Sequence, residues 1–111
     1  MQEKNLDSPS EAPIACTLTA TNLRDRQQAW LKIGNHITAS AKIPGGLVFE
    51  FANATGLAES VTKLVQLEAE CCAWMNFVLT DLTTGFRLAI TGMGPDGQRG
   101  VRESFAPLTR R

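Results

Sequence analysis

The sequence predicts an α+β domain in which helical and strand-like segments alternate. Three observations indicate this class: an apolar period of 3.6 residues from Thr55 to Phe77, short stretches that alternate apolar and polar residues, and glycine-containing turns between them. The predicted order is β-α-β-α-β-β-α, with a four-stranded, mostly antiparallel sheet, two main helices on one face and a short C-terminal helix. A chain of 111 residues is long enough for one such domain.

The N-terminal part is expected to contain a tail, a strand and a helix. Residues 1–13 are polar and hold two prolines, so they predict a disordered tail before a single domain of residues 14–111. Ile14 to Thr19 alternates and predicts the first strand, with Cys16 on its apolar face. The first helix is expected from Asn22 to about Gly34.

The middle of the chain predicts three more strands around the central helix. Leu47 to Phe51 alternates after a Pro-Gly-Gly turn, whereas His36 to Ala41 is interpreted as a loop or a frayed helix. Phe77 to Asp81 and Phe86 to Thr91 predict a hairpin whose turn contains Gly85, a residue that can adopt a positive φ.

The C-terminal part predicts a loop and a short helix. Gly92 to Gly97 is rich in glycine and is expected to be a loop. From about Gln98, the apolar residues recur at i, i+4 and i+7, which is typical of an amphipathic helix that Pro107 would end: Val101, Phe105 and Leu108.

Composition limits the classes of function. The formal net charge is zero, so the chain lacks the basic excess that binding to nucleic acid requires. No apolar run reaches the roughly 18 residues of a membrane-spanning helix, and the N-terminus has no apolar signal segment. We therefore expect a cytoplasmic protein that binds neither nucleic acid nor membranes. The chain has three cysteines, two of them adjacent, which is not the pattern of a disulfide-stapled secreted domain. They are therefore interpreted as free thiols, a ligand set or a reactive pair.

Glu68 lies on the apolar face of the predicted central helix. On an ideal helix, Val61 and Leu64 fall within about 60° of one line, and Glu68 falls about 20° from it. Its neighbours at i+3 and i+4 are Cys71 and Cys72. A carboxylate beside two thiols on an apolar face indicates a chemical site.

Cys16 is expected to approach this pair, because the apolar face of the first strand looks toward the helices. A site formed by Cys16, Glu68, Cys71 and Cys72 would offer the sulfur ligands that thiophilic metal or metalloid ions favour. The sequence has no CxxC pair, and its one histidine, His36, is distant, so the spacing is not a zinc signature. Adjacent helical cysteines diverge by about 100°. Both can bind one ion only if the helix loosens at its end.

The cysteines and Glu68 also have a structural interpretation. Cysteine is among the most buried residue types and can simply fill a core. Glu68 can be explained by a buried ion pair with one of three cations, Arg24, Arg26 or Arg87.

Three ring-bearing residues have structural interpretations of their own. His36 is expected at the surface or at a helix cap, and Trp30 and Trp74 are expected to anchor the core. Trp74 alternatively forms the wall of a ligand pocket beside the thiols.

A nucleophilic cysteine is the enzymatic alternative. Reactive thiolates are usually stabilised by a helix N-terminus or a nearby cation, whereas this pair is predicted near a helix C-terminus. The sequence also has no phosphate-binding loop, nucleophile elbow or HExxH pattern.

Three motifs carry a family resemblance: IACTLT, the LxxR…W helix at Leu23, Arg26 and Trp30, and LEAECCAWMNF. They resemble a small bacterial group whose members have an ACTL strand and a helix that ends in Glu-x-x-Cys-Cys. Such domains occur alone or attached to regulators of the mercury-responsive type, and some carry heavy-metal-resistance names. The resemblance implies a thiol site for a thiophilic metal or metalloid ion. After the cysteine pair, that group is expected to have other aromatic residues at the positions where this chain has Trp74 and Met75.

The leading hypothesis is a small cytoplasmic protein that binds a soft metal or metalloid ion for sequestration or sensing. One alternative is a thiol-dependent redox enzyme in which one cysteine attacks and another resolves. Another is a non-catalytic interaction module with a cysteine-containing core. A small thiol-reactive compound is the other ligand considered, and a homodimer is left open.

Overall fold

The computed structural model describes residues 20–110 of the chain. In order, these residues form α1 (Ala20–Gly34), β1 (Ile37–Ile43), β2 (Gly46–Ala52), α2 (Leu57–Cys71), β3 (Met75–Leu82), β4 (Gly85–Gly92), α3 (Gly94–Ser104) and a 3₁₀ helix (Ala106–Arg110). The predicted tail of residues 1–13 and the predicted strand from Ile14 to Thr19 lie outside the described residues. Within residues 20–110, no helix has the length and apolar character needed to cross a membrane.

The strands form one antiparallel sheet in the order β1-β2-β4-β3. Alternate side chains of the two central strands are buried on one face, because the helices cover that face; they are Leu47, Phe49, Phe51, Phe86, Leu88 and Ile90. The side chains on the opposite face of these strands are half-buried, and Glu50 and Arg87 form an ion pair of 2.9 Å there. The predicted α+β class with an antiparallel four-stranded sheet is confirmed.

The segment after α1 corrects one sequence-based interpretation. His36 to Ala41 is not a loop or a frayed helix, since β1 begins at Ile37. Only the two ends of β1, Ile37 and Ile43, are even partly buried, so the strand shows no apolar alternation. It forms because Pro44 and Gly45, the latter with a φ of 85°, close a two-residue turn onto β2.

Two glycines permit the close pairing of the central strands. A Cβ on Gly46 would collide with the backbone carbonyl of Ile90, and a Cβ on Gly85 would collide with that of Phe51. Gly85 is predicted in the hairpin turn, but it is the first residue of β4 and does not adopt the positive φ open to a turn glycine; its missing Cβ instead lets β2 approach.

The C-terminal helix begins earlier than expected. α3 starts at Gly94, so the prediction of a loop as far as Gly97 is wrong. Pro95 lies in the first turn, where a helix needs no backbone N–H from it. The helix ends at Ser104, before Pro107, and its predicted apolar residues are buried: Val101, Phe105 and Leu108.

Candidate metal centre

The end of α2 brings two sulfur atoms together. Cys71 is the last helical residue, and Cys72 has left the helical conformation, with φ −128° and ψ 75°. An unbroken helix would direct the two side chains about 100° apart. Instead, the two Sγ atoms lie 3.7 Å from each other. The condition for both cysteines to approach one ion, a helix that loosens at the pair, is therefore met, and Met75 belongs to β3 rather than to the helix.

Glu68 approaches the same sulfurs from one turn earlier. It is only 7% exposed, and its Oε1 lies 3.9 Å from Cys72 Sγ. One ligand atom from each of Glu68, Cys71 and Cys72 lies within 4.8 Å of the others. We call these three residues the Glu-Cys-Cys group.

The second oxygen of the Glu68 carboxylate is held by α1. Trp30 Nε1 donates a hydrogen bond to Oε2 at 2.8 Å, and Arg26 Nη1 lies 3.3 Å from the same oxygen. Arg26 and Trp30 are four residues apart, so they share one face of the helix. Arg26 Nη1 also lies 3.9 Å from Cys71 Sγ, toward which it donates. One carboxylate oxygen is thus fixed by two donors while the other faces a sulfur.

This network decides between the predicted partners of Glu68. The buried ion pair is present and its cation is Arg26, whose side chain is 12% exposed. Arg24 is exposed, and Arg87 pairs with Glu50 on the opposite face of the sheet. Sequence reasoning left three candidate cations open, because nothing in the local pattern reports which face of α1 meets α2.

The tryptophans are buried as predicted, and each adds something that sequence reasoning missed. Trp30 is a core residue whose N–H also orients Glu68. Trp74 is 9% exposed, and among the described residues its buried Nε1 has no hydrogen-bond partner. The role of Trp30 in orienting Glu68 could have been predicted from the four-residue spacing of Arg26 and Trp30, since that spacing places a cation and an N–H donor side by side on one helix face. His36 is exposed, in agreement with a surface position.

A cavity of about 460 Å³ adjoins the Glu-Cys-Cys group. Glu68 and Cys72 line it from the group itself, and Arg26 lines it from α1. Most of its remaining lining is apolar and comes from α1, the start of β3 and the C-terminal segment: Trp30, Leu31, Trp74, Met75, Phe105, Pro107 and Leu108. The alternative that Trp74 walls a pocket beside the thiols therefore agrees with the structure.

The two cysteines are bonded differently. Cys71 is a half-buried thiol, whereas Cys72 is disulfide-bonded. Only thiolates bind soft ions strongly, so Cys72 has to be reduced before both sulfurs can bind one ion. Cys16 lies outside the described residues, and its membership of the site stays a prediction.

The fold and the group together define a small α+β domain with a buried carboxylate and two sulfurs at the end of its central helix. Comparison with family models, with curated proteins and with solved structures found no match. The family resemblance therefore stays a prediction.

Proposed function

We propose that this protein binds a thiophilic metal or metalloid ion through Cys71, Cys72 and Glu68, in sequestration or sensing. The supporting observation is the convergence of three ligand atoms within 4.8 Å of one another in a largely buried place. Sulfur ligands select soft ions, and the carboxylate supplies a harder third ligand. Cys16 would be a fourth ligand under the same proposal.

The distance between the two sulfurs favours an ion whose two bonds to sulfur form an angle well below about 180°. Two sulfurs about 2.3 Å from an ion at the tetrahedral angle lie about 3.8 Å apart, whereas a linear arrangement would separate them by about 4.6 Å. The observed 3.7 Å between the Sγ atoms of Cys71 and Cys72 agrees with the angular arrangement. Tetrahedral or pyramidal ions therefore suit the group better than ions that prefer two ligands in line.

The surrounding charges suit a dipositive centre. Two thiolates and the Glu68 carboxylate would carry three negative charges, and Arg26 carries one positive charge beside them. A dication would then leave the buried group neutral, which avoids an uncompensated charge in a poorly solvated place. Arg26 and Trp30 also fix the carboxylate, as outer partners of metal ligands commonly do.

Native mass spectrometry tests the proposal on the full chain. The protein would be reduced with a phosphine, freed of reductant and chelators without air, and titrated with Zn(II), Cd(II) and arsenite. We expect one equivalent of ion per chain, and an affinity at least ten-fold weaker in Cys71→Ser. Ala73→Ser is the matched control, since Ala73 is an exposed neighbour. Absence of bound ion, or equal affinities in Cys71→Ser and wild type, would refute the proposal.

A second candidate function is thiol–disulfide exchange, which the position of the Cys71 thiol beside the disulfide sulfur of Cys72 favours. The Cys71 sulfur lies 3.7 Å from the sulfur of disulfide-bonded Cys72. The Cys71 thiolate would attack Cys72 Sγ, a Cys71–Cys72 bond would form, and the sulfur released by Cys72 would leave as a thiolate. No net oxidation or reduction takes place in this step.

Alkylation after mild oxidation distinguishes this candidate from ion binding. Reduced protein would be treated with dilute peroxide, alkylated and analysed by peptide mass spectrometry, before and after a second reduction. Exchange predicts reversible loss of two thiols, with Cys71 found in a disulfide in part of the molecules. Alkylation of Cys71 in every molecule would rule out exchange at this pair.

A further inference from the structure

The cavity beside the Glu-Cys-Cys group has the size and lining of a site for an organic ligand. Its volume of about 460 Å³ falls within the range of small-molecule pockets, roughly 300–1,000 Å³. Apolar side chains from three parts of the chain line most of it, and Arg26, Glu68 and Cys72 contribute polar atoms. A bare ion would occupy only the part next to the sulfurs.

A second observation also indicates a ligand. Trp74 is 9% exposed and lines the cavity, yet its indole N–H finds no acceptor among the described residues. A buried donor without a partner is costly unless something else in the site accepts its hydrogen bond, and the π face of an aryl ring can accept one from an N–H. Gly100 leaves room for this indole, because a Cβ there would approach its ring to 3.0 Å.

We propose that the cavity holds the organic substituent of a monosubstituted thiophilic element, such as an arylarsenic(III) group, whose element is bound by Cys71 and Cys72. This inference rests on the proposed ion-binding function and adds its ligand class. Trivalent arsenic forms three bonds, so one bond to carbon leaves two for sulfur. The two sulfurs of the group, 3.7 Å apart, match that requirement.

The binding step involves no change of oxidation state. An arylarsonous acid, R–As(OH)₂, reacts with the thiols of Cys71 and Cys72, two As–O bonds and two S–H bonds break, and two As–S bonds form. Two water molecules leave, and arsenic stays trivalent. Reduction of the Cys72 disulfide precedes this step and takes its two electrons from an added phosphine in the assay, or from a small thiol.

The organic group supplies the affinity that distinguishes this ligand class from inorganic ions. A phenyl ring buried among the apolar side chains leaves water, and this burial is expected to raise the affinity about ten- to hundred-fold over a methyl group. Both compounds form the same two As–S bonds, so the difference between them reports the cavity alone.

The test compares phenylarsine oxide, which hydrates to the arylarsonous acid, with methylarsonous acid. Each is titrated into phosphine-reduced full-length protein in competition with dithiothreitol, which cancels the intrinsic dithiol affinity of each arsenical. Tryptophan emission is the readout, because both tryptophans of the chain line the cavity. We expect phenylarsine oxide to bind at least ten-fold more tightly than methylarsonous acid, relative to dithiothreitol.

A cavity-filling variant provides the decisive comparison. Ser104 is exposed at the end of α3 and lines the cavity, so Ser104→Phe should occupy the mouth without disturbing the core. This variant should lose the ten-fold preference for phenyl and keep the affinity for methylarsonous acid. Ser60→Phe, an exposed position on α2 outside this cavity, should bind both compounds as wild type does.

The outcomes separate the two proposals. If reduced wild type binds neither arsenical and none of Zn(II), Cd(II) and arsenite, the ion-binding function itself is refuted; if it binds one of these inorganic ions but neither arsenical, only the cavity proposal is overturned. If it binds both with equal affinity relative to dithiothreitol, or if Ser104→Phe keeps the phenyl preference, the ion-binding function stands and the cavity proposal is overturned.

Discussion

Replacement of Glu68 by glutamine should destabilise the fold mainly through Arg26. Glutamine keeps the shape of the side chain and one oxygen that can accept the Trp30 hydrogen bond, so the substitution chiefly removes a charge. The Arg26 guanidinium, 12% exposed on the side chain, would then lose its buried counter-ion. Loss of one partner of a buried pair costs about 3–5 kcal/mol. We expect about 3 kcal/mol, the lower end, because Arg26 lines the cavity and can turn toward water.

Urea unfolding followed by circular dichroism, under reducing and chelator-free conditions, measures this loss. Arg26→Met should cost a similar amount, because it leaves the Glu68 carboxylate uncompensated. The double variant should cost less than the sum of the two single variants, by about 2 kcal/mol. If the two losses add to within about 0.5 kcal/mol, Glu68 and Arg26 are not coupled, and the explanation for the buried carboxylate fails. The ion affinity of Glu68→Gln separates the two roles of this residue, since a ligand role predicts at least a ten-fold loss.

Three further predictions concern the cysteine that the structure does not describe and the two tryptophans. Cys16→Ser should weaken the ion affinity of reduced protein at least ten-fold if Cys16 completes the ligand set, and an unchanged affinity by calorimetry would remove it from the site. Trp30→Phe should cost about 1–2 kcal/mol more in urea unfolding than Trp74→Phe, because only Trp30 loses a hydrogen bond; equal losses would contradict the role of the Trp30 N–H. Gly100→Ala should lower stability by about 1–3 kcal/mol and shift the tryptophan emission, because its Cβ would press on the Trp74 ring; unchanged thermal unfolding and emission would contradict that packing.

The local pattern of the sequence determined most of the secondary structure and the centre of the candidate site. The helical period of α2 placed Glu68 on the buried face, and the adjacent cysteines followed within one turn. Alternation predicted β2 and β4, since these two strands bury one face against helices. Such periodicities are local consequences of burial on one side, so they are readable without the tertiary structure.

Tertiary contacts decided the remaining features of the fold and the site, because these features depend on residues that are distant in the sequence. β1 has exposed residues along its length and exists through backbone hydrogen bonds to β2, which leave no trace in its side chains. The choice of Arg26 over two other arginines depended on how α1 packs against α2. The break after Cys71 set the 3.7 Å between the sulfurs, and the cavity beside them formed only where three distant segments met. The sequence alone thus identified a carboxylate and two thiols as a group, whereas the packing of the helices fixed which atoms face one another.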